Sequence, residues 1–95
     1  MRMYEGVILT KSTIDSEKRD VMLQKLETVI AENNGKILKK DEWGKKKLTY
    51  LINKESEAHY VYMEFLADEA ILKELKRQMR INDAFLRHMF IKKED

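Results

Sequence analysis

The chain reads as an α+β protein, with strand, helix, strand, strand, helix and strand following in that order. Three observations carry the prediction. Residues 15–34 and 68–80 space their apolar side chains as helices do. Four other stretches, 3–10, 36–53, 59–66 and 85–92, alternate apolar and polar residues or run apolar over a strand's length. The breaks between them fall on Gly, Asn or Asp in a chain that has no proline.

Taken in order, Met3–Thr10 is a short apolar run that fits a buried strand, and Gly6 within it marks a bulge or a close approach by a helix. Lys11–Asp15 is a turn whose Ser12 and Asp15 fit a loose capping box, with Asp15 the alternative N-cap. From Asp15 to Asn34 the apolar positions 22, 23, 26, 29 and 30, with Val21 beside them, form one helical stripe. Asn33 and Asn34 stop it, and Gly35 suits the left-handed residue after the last turn. The next strand, 36–53, has a possible break at Gly44; its Leu48, Tyr50 and Ile52 alternate as core-facing residues would. A polar loop at 53–57 leads into 59–66, where Val61, Met63 and Phe65 take one face and Tyr60, Tyr62 and Glu64 the other. Two strands joined by so short a loop pair antiparallel. Asp68 caps the second helix, whose stripe is Ile71, Leu72, Leu75 and Met79, and Lys76, Arg77 and Arg80 crowd its C-terminal end. Asn82 and Asp83 break it before the last strand, and residues 93–95 read as a frayed end.

This order, with helices of this length, fits the split βαβ arrangement of the ferredoxin-like fold: strand order 4-1-3-2 and both helices on one face. Strand parity sends Ile8, Leu48 or its neighbours, Val61, Met63, Phe65, Leu86 and Phe90 to the helices. It leaves Glu5, Val7, Leu9, Tyr60, Tyr62, Glu64, Phe85, Arg87, Met89 and Ile91 on an open face, apolar enough to expect a partner.

Residues 1–95 are enough for a single domain on one core. Apolar residues make up 43% and charged residues 38%, the balance of a soluble protein with a charged surface. No apolar run approaches the ~18 residues of a membrane span. The N-terminus lacks a signal peptide's apolar core, so cytoplasm is the expected compartment. Without cysteine there are no disulfides, thiolate nucleophiles or thiolate metal sites. Net charge is only +2, but it is unevenly spread: residues 1–35 carry −1, 36–54 carry +5, 55–75 carry −5 and 76–95 carry +3. Two basic segments around an acidic one give a polarised surface if the fold unites them.

Three blocks, correctly spaced, resemble one family. Gly44-Lys45-Lys46-Lys47-Leu48-Thr49-Tyr50-Leu51-Ile52-Asn53 is similar to the signature of bacterial ribosomal small-subunit protein six: glycine, basic residues, then Leu-small-Tyr-x-Ile and a polar residue. Met1–Glu5 looks like that family's N-terminus, and Arg80–Met89 like its second-helix exit and last strand. The departures are Lys47, Thr49 and Leu51, the last at a position where proline is common. The resemblance implies a non-enzymatic component of the small (30S) ribosomal subunit. It also implies binding to the central domain of small-subunit (16S) ribosomal RNA as a pair with small-subunit protein eighteen, within the cytoplasmic ribosome.

The residues nominate two basic groups for RNA. Lys45, Lys46 and Lys47 are either phosphate contacts or solvated lysines that guard an edge strand, and alternation turns Lys46 away from the other two. Arg77, Arg80 and Asn82, with Arg87, are either RNA contacts or a helix end stabilised by cations. Arg2, on the strand neighbouring that of Arg87, is expected to converge with it at one edge. Val7, Leu9, Tyr60, Tyr62, Met89 and Ile91 form the expected protein-partner surface. Base stacking on the tyrosines is the lesser alternative, because the aromatic octamer of RNA-recognition motifs is missing. Trp43 is either a core residue at a strand edge or an interface anchor.

Metal, cofactor and small-molecule substrate are not expected. His59 and His88 sit on different strands without ligand spacing. Lys11–Ile14 lacks the glycine of a phosphate cradle, and Asp41 and Glu42 point to opposite faces, which argues against an acylphosphatase-like enzyme. The rival reading from another class is a ferredoxin-like interaction or oligomerisation module without RNA binding.

Overall fold

The computed structural model describes residues 1–93 of the chain. Its elements are β1 (Arg2–Lys11), α1 (Ser16–Glu32), β2 (Lys36–Ile52), β3 (Glu55–Ala67), α2 (Glu69–Arg80) and β4 (Phe85–Lys92). The four strands form one sheet in the order β2-β3-β1-β4, with every neighbouring pair antiparallel. This is the expected 4-1-3-2 order read from the other edge.

Leu23, Leu26 and Ile30 of α1 and Ile71, Leu75 and Met79 of α2 join Tyr4, Ile8, Val61, Met63 and Phe65 in a single buried cluster. Both helices therefore cover the same face of the sheet. Phe65, fully buried, stands at the centre: its ring stacks on Tyr4 at 6.0 Å and meets Phe90 edge-on at 5.6 Å. Gly6 makes room for this aromatic layer. A Cβ there would lie 2.9 Å from the Phe90 ring, so the close approach is by a side chain rather than a helix.

Asp68 caps α2 through its carboxylate, which accepts from the Ile71 N–H at 2.9 Å. Asp15 holds the N-cap position of α1 without a side-chain hydrogen bond, so the capping box does not form. Asn34 (φ 69°), not Gly35, takes the left-handed position after α1. Gly35 is needed for space. Its N–H reaches the Ile30 carbonyl at 2.8 Å, and a Cβ would fall 2.5 Å from the Leu66 carbonyl oxygen.

Arg19 is a buried cation that sequence periodicity does not mark. Its guanidinium donates to Thr10 Oγ1 (3.3 Å) and to the carbonyls of Ile14 (3.2 Å) and Lys11 (3.5 Å), tying the β1–α1 turn to the first turn of the helix. Arg19→Met keeps the stem but strands these acceptors. It is expected to lower stability by about 2 kcal/mol in urea unfolding.

Three expectations change where bulges interrupt the ladders. The β1–β4 register shifts between Leu9 and Thr10, so that Thr10 faces Phe85 while Leu9 faces Arg87. Phe85 consequently packs against the core instead of standing on the open face. The β2–β3 register skips Trp43, which is 45% exposed and stacks on Tyr62 at 5.1 Å with the rings 3° from parallel. It lies on the open face, outside the core. β2 and β3 also run past the end of β1, whose last partner is Ala58, and close on a two-residue turn with both Asn53 (φ 48°) and Lys54 (φ 67°) left-handed. The expected five-residue loop is thus mostly strand. Tyr50, at 82% exposure, stands on this projecting arm and does not anchor in the core.

Lys93 is held, its N–H donating to the Met3 carbonyl at 2.9 Å; the frayed end expected at Glu94 and Asp95 lies outside the described residues. No helix among the described residues is long and apolar enough to cross a membrane.

Burial depresses the basicity of both histidines. His59, whose Nε2 is buried without a hydrogen-bond partner among the described residues, is pushed below its ordinary value by burial first and by the Arg19 cation second, against the pull of Glu42 and Asp20. His88 is lowered by burial and then by Lys76. As pH falls through the imidazole range near ~6.5, the unfolded chain takes up protons before the folded one, so stability drops. The urea midpoint should be lower at pH 5.5 than at pH 7.5, and His88→Gln should remove part of that difference.

Candidate nucleic-acid interface

One end of the molecule gathers cations from three separate elements. Antiparallel pairing brings the end of β1 beside the start of β4, with the Lys11 N–H donating to the Ala84 carbonyl at 2.9 Å. The C-terminal turn of α2 ends at the same place. Lys11, Lys76, Arg80 and Arg87 line a cleft there of about 660 Å³, together with Met79, Asn82, Phe85, Leu86, His88 and the tip residue Asn53; Asp83 is its one carboxylate. Among the described residues none of the four cations has a carboxylate within ion-pairing distance. Such a concentration of unneutralised charge attracts a polyanion.

The α2–β4 turn is built to present it. Asn82 Oδ1 accepts the Ala84 N–H at 3.0 Å, and the Phe85 N–H returns to the Asn82 carbonyl at 3.1 Å. Arg80, one residue before the turn, and Arg87, shortly after it, are brought to the same cleft by that short path.

Of the residues the sequence nominated, Arg80, Asn82 and Arg87 come together here and the others do not. Arg77 is clamped by Glu74, its Nε 2.9 and 3.0 Å from the two carboxylate oxygens. That guanidinium first, and the Gln78 amide second, hold the Glu74 carboxyl down at about 2. Arg2 sits opposite Ala67 at the far end of β1, whereas Arg87 pairs with Leu9, so the two do not converge. Lys45 lies 3.9 Å from Glu57, and Lys47 is exposed on the arm. Lys46 belongs to the open face, its ammonium over the rings of Trp43 (5.2 Å) and Tyr60 (5.6 Å). Lys11 and Lys76 were missed. The four-residue spacing of Lys76 and Arg80 puts both on one helix face, which was the available signal; Lys11 is placed only by the strand register.

The open face pairs Val7 with Tyr62 and Met89, and Glu5 with Glu64 and Ile91, in register. Met89 and Ile91 are half exposed at 54% and 52%, whereas Leu9 is only 7% exposed and offers little surface. Glu5 and Glu64 face one another directly, an unfavourable arrangement that neighbouring donors relieve. Lys93 Nζ lies 2.9 Å from Glu5, whose pKa it lowers, and the Tyr62 hydroxyl donates to Glu64 at 2.6 Å. Accepting that bond, Glu64 raises the Tyr62 phenol well above its ordinary value. Among the described residues no cluster of side chains is arranged to hold a metal ion.

Residues 3–92 match the family model of ribosomal protein S6. The chain belongs to the ribosomal protein S6 family. It is 41% identical over 92 residues to small ribosomal subunit protein bS6 of Desulforamulus reducens, covering 97% of each chain. It is 42% identical over 94 residues to the bS6 of Clostridium botulinum, covering 99% of this chain and all of the other. The solved structure of 30S ribosomal protein S6 from Thermotoga maritima superposes with a TM-score of 0.89 at 27% identity, over 97% of this chain and 87% of that one. Membership in the S6 family makes the protein a structural, non-enzymatic constituent of the small ribosomal subunit that associates with ribosomal RNA.

Proposed function

We propose that the protein binds the central domain of small-subunit ribosomal RNA as a pair with small-subunit protein eighteen, using two adjoining surfaces that meet at Arg87, which lines the cleft and stands opposite Leu9 of the open face. The cleft of Lys11, Lys76, Arg80 and Arg87 carries the reading for RNA: four cations without carboxylate partners converge from β1, α2 and β4. They contact phosphates, with Asn82 in the lining of the same cleft. Lys47 on the arm and Lys45 at its base, and Arg2 and Arg77 more remotely, add long-range attraction. RNA is held by charge and shape, in keeping with the absence of an aromatic base-reading motif.

The open face takes the protein partner. Val7, Tyr60, Tyr62, Met89 and Ile91 supply apolar surface, with Leu9 filling beneath them. The carboxylates Glu5, Glu64 and Asp41 on this face disfavour RNA and favour a basic protein; each is engaged by a lysine or tyrosine of the chain itself. Neither surface alone is large, so pairing enlarges the RNA footprint beyond what one weakly basic domain offers.

The test is binding to a central-domain RNA fragment across salt concentrations, with and without protein eighteen. Four phosphate contacts predict a log–log salt slope of about −3 for this chain's contribution and tighter binding when protein eighteen is present. A stable homodimer indifferent to RNA would support the oligomerisation module instead.

A further inference from the structure

Lys46 occupies an unusual place for a lysine on a basic strand. Trp43, the residue that the β2–β3 register skips, lies on the open face, where its indole stacks on Tyr62. The Lys46 ammonium then lies 5.2 Å from the indole centroid and 5.6 Å from that of Tyr60, so two aromatic faces frame one cation position. The position is filled by the chain's own exposed lysine, and Trp43 remains 45% exposed. The same face repeats the device: Lys93 lies on Glu5 and Lys39 on Asp41, at 2.9 and 3.5 Å. These three cation positions are filled from within the chain.

We propose that the cation position framed by Trp43 and Tyr60 is the docking point for an arginine of the basic protein partner, whose guanidinium displaces Lys46. The inference rests on the reading that the open face carries a basic protein. Chemistry favours the exchange, because a guanidinium is planar, more weakly hydrated than an ammonium and stacks on aromatic faces. It also favours a protein over a nucleobase here, since Glu64 and Asp41 share the face with the rings. Lys46 serves as a placeholder that keeps the site hydrated and charged until the partner arrives.

Trp43 is the sole tryptophan, so its fluorescence reads the site directly. Adding protein eighteen to the full chain should shift the emission to the blue as the indole is covered. A central-domain RNA fragment alone should leave it unchanged. Trp43→Leu should weaken the protein pair at least tenfold and Trp43→Phe much less, with circular dichroism and urea midpoints confirming that both fold. Lys46→Ala, which vacates the position without touching the rings, should bind protein eighteen as tightly as the wild type or several-fold tighter.

Wild-type binding with unchanged emission, or with unchanged affinity in Trp43→Leu, overturns this inference and leaves the two-surface reading intact. Emission that responds to RNA alone, or a tenfold loss in Lys46→Ala, overturns it in favour of RNA stacking or a direct Lys46 contact. Failure of the wild-type chain to bind protein eighteen at all overturns the reading and the inference together.

Discussion

Replacing Arg80 and Arg87 together by alanine is expected to weaken binding to a central-domain RNA fragment about a hundredfold. Each arginine contributes a charged hydrogen bond to phosphate worth about 1.5 kcal/mol, and two of them make a factor of about a hundred. The log–log salt slope should shrink by about 1.5 at the same time, since two phosphates are no longer neutralised. Both side chains are exposed and unpaired among the described residues, so folding should survive. The expected cost is confined to the favourable end charge of α2, below about 1 kcal/mol. Arg77→Ala is the internal control: it removes the same charge from the same helix, but from a guanidinium already held by Glu74 and outside the cleft. Salt-titrated filter binding or fluorescence anisotropy measures all three variants.

Gly35→Ala carries the largest expected effect on stability. The added Cβ would meet the Leu66 carbonyl oxygen at 2.5 Å and the Ile30 carbonyl oxygen at 2.9 Å, and neither can rotate aside as a side-chain end would. Relief requires α1 to move away from β3, which opens the layer in which Ile30 and Phe65 are fully buried. Overpacking of this kind costs about 3 kcal/mol, the upper part of its usual range. For a chain of this size that lowers the melting temperature by roughly 15 °C. Gly44→Ala makes the useful contrast. Its φ of +84° is unfavourable for any Cβ, but nothing lies within 4 Å of where that Cβ would be. Its cost is therefore local strain of about 1 kcal/mol. Thermal unfolding of the two variants side by side separates a crowded glycine from a strained one.

The fold was legible because its signals are periodic and local. The stripes of Leu23, Leu26 and Ile30 and of Ile71, Leu75 and Met79 turned out to be the buried helix faces, and Val61, Met63 and Phe65 the buried face of β3. What escaped was any feature that depends on a partner strand's length or register. Leu48, Tyr50 and Ile52 alternate as a core strand does, yet β1 ends at Lys11 and leaves nothing for Tyr50 to pack against. Alternation marks a strand; it does not say what lies across from it. The single-residue bulge near Phe85 reversed the parity of that ring for the same reason.

The cleft was half legible. Arg80 and Arg87 flank the Asn-Asp turn closely enough to be nominated together, and Lys76 was within reach of helical spacing. Lys11 and the separation of Arg2 from Arg87 required the antiparallel register of β1 with β4, which no single-strand pattern contains. The lysine run at 45–47 divides as alternation required: Lys45 is paired with Glu57, whereas Lys46 is over two rings of the open face.

On the proposed reading, RNA and protein eighteen engage different, adjoining surfaces of this domain. Amide and side-chain NMR shifts of the labelled chain test it most directly, with each ligand titrated separately. RNA should perturb Lys11, Lys76, Arg80, Asn82 and Arg87; protein eighteen should perturb Val7, Trp43, Tyr62, Met89 and Ile91. Perturbation of one common set by both ligands, or of Val7, Trp43, Tyr62, Met89 and Ile91 by RNA alone, would contradict it.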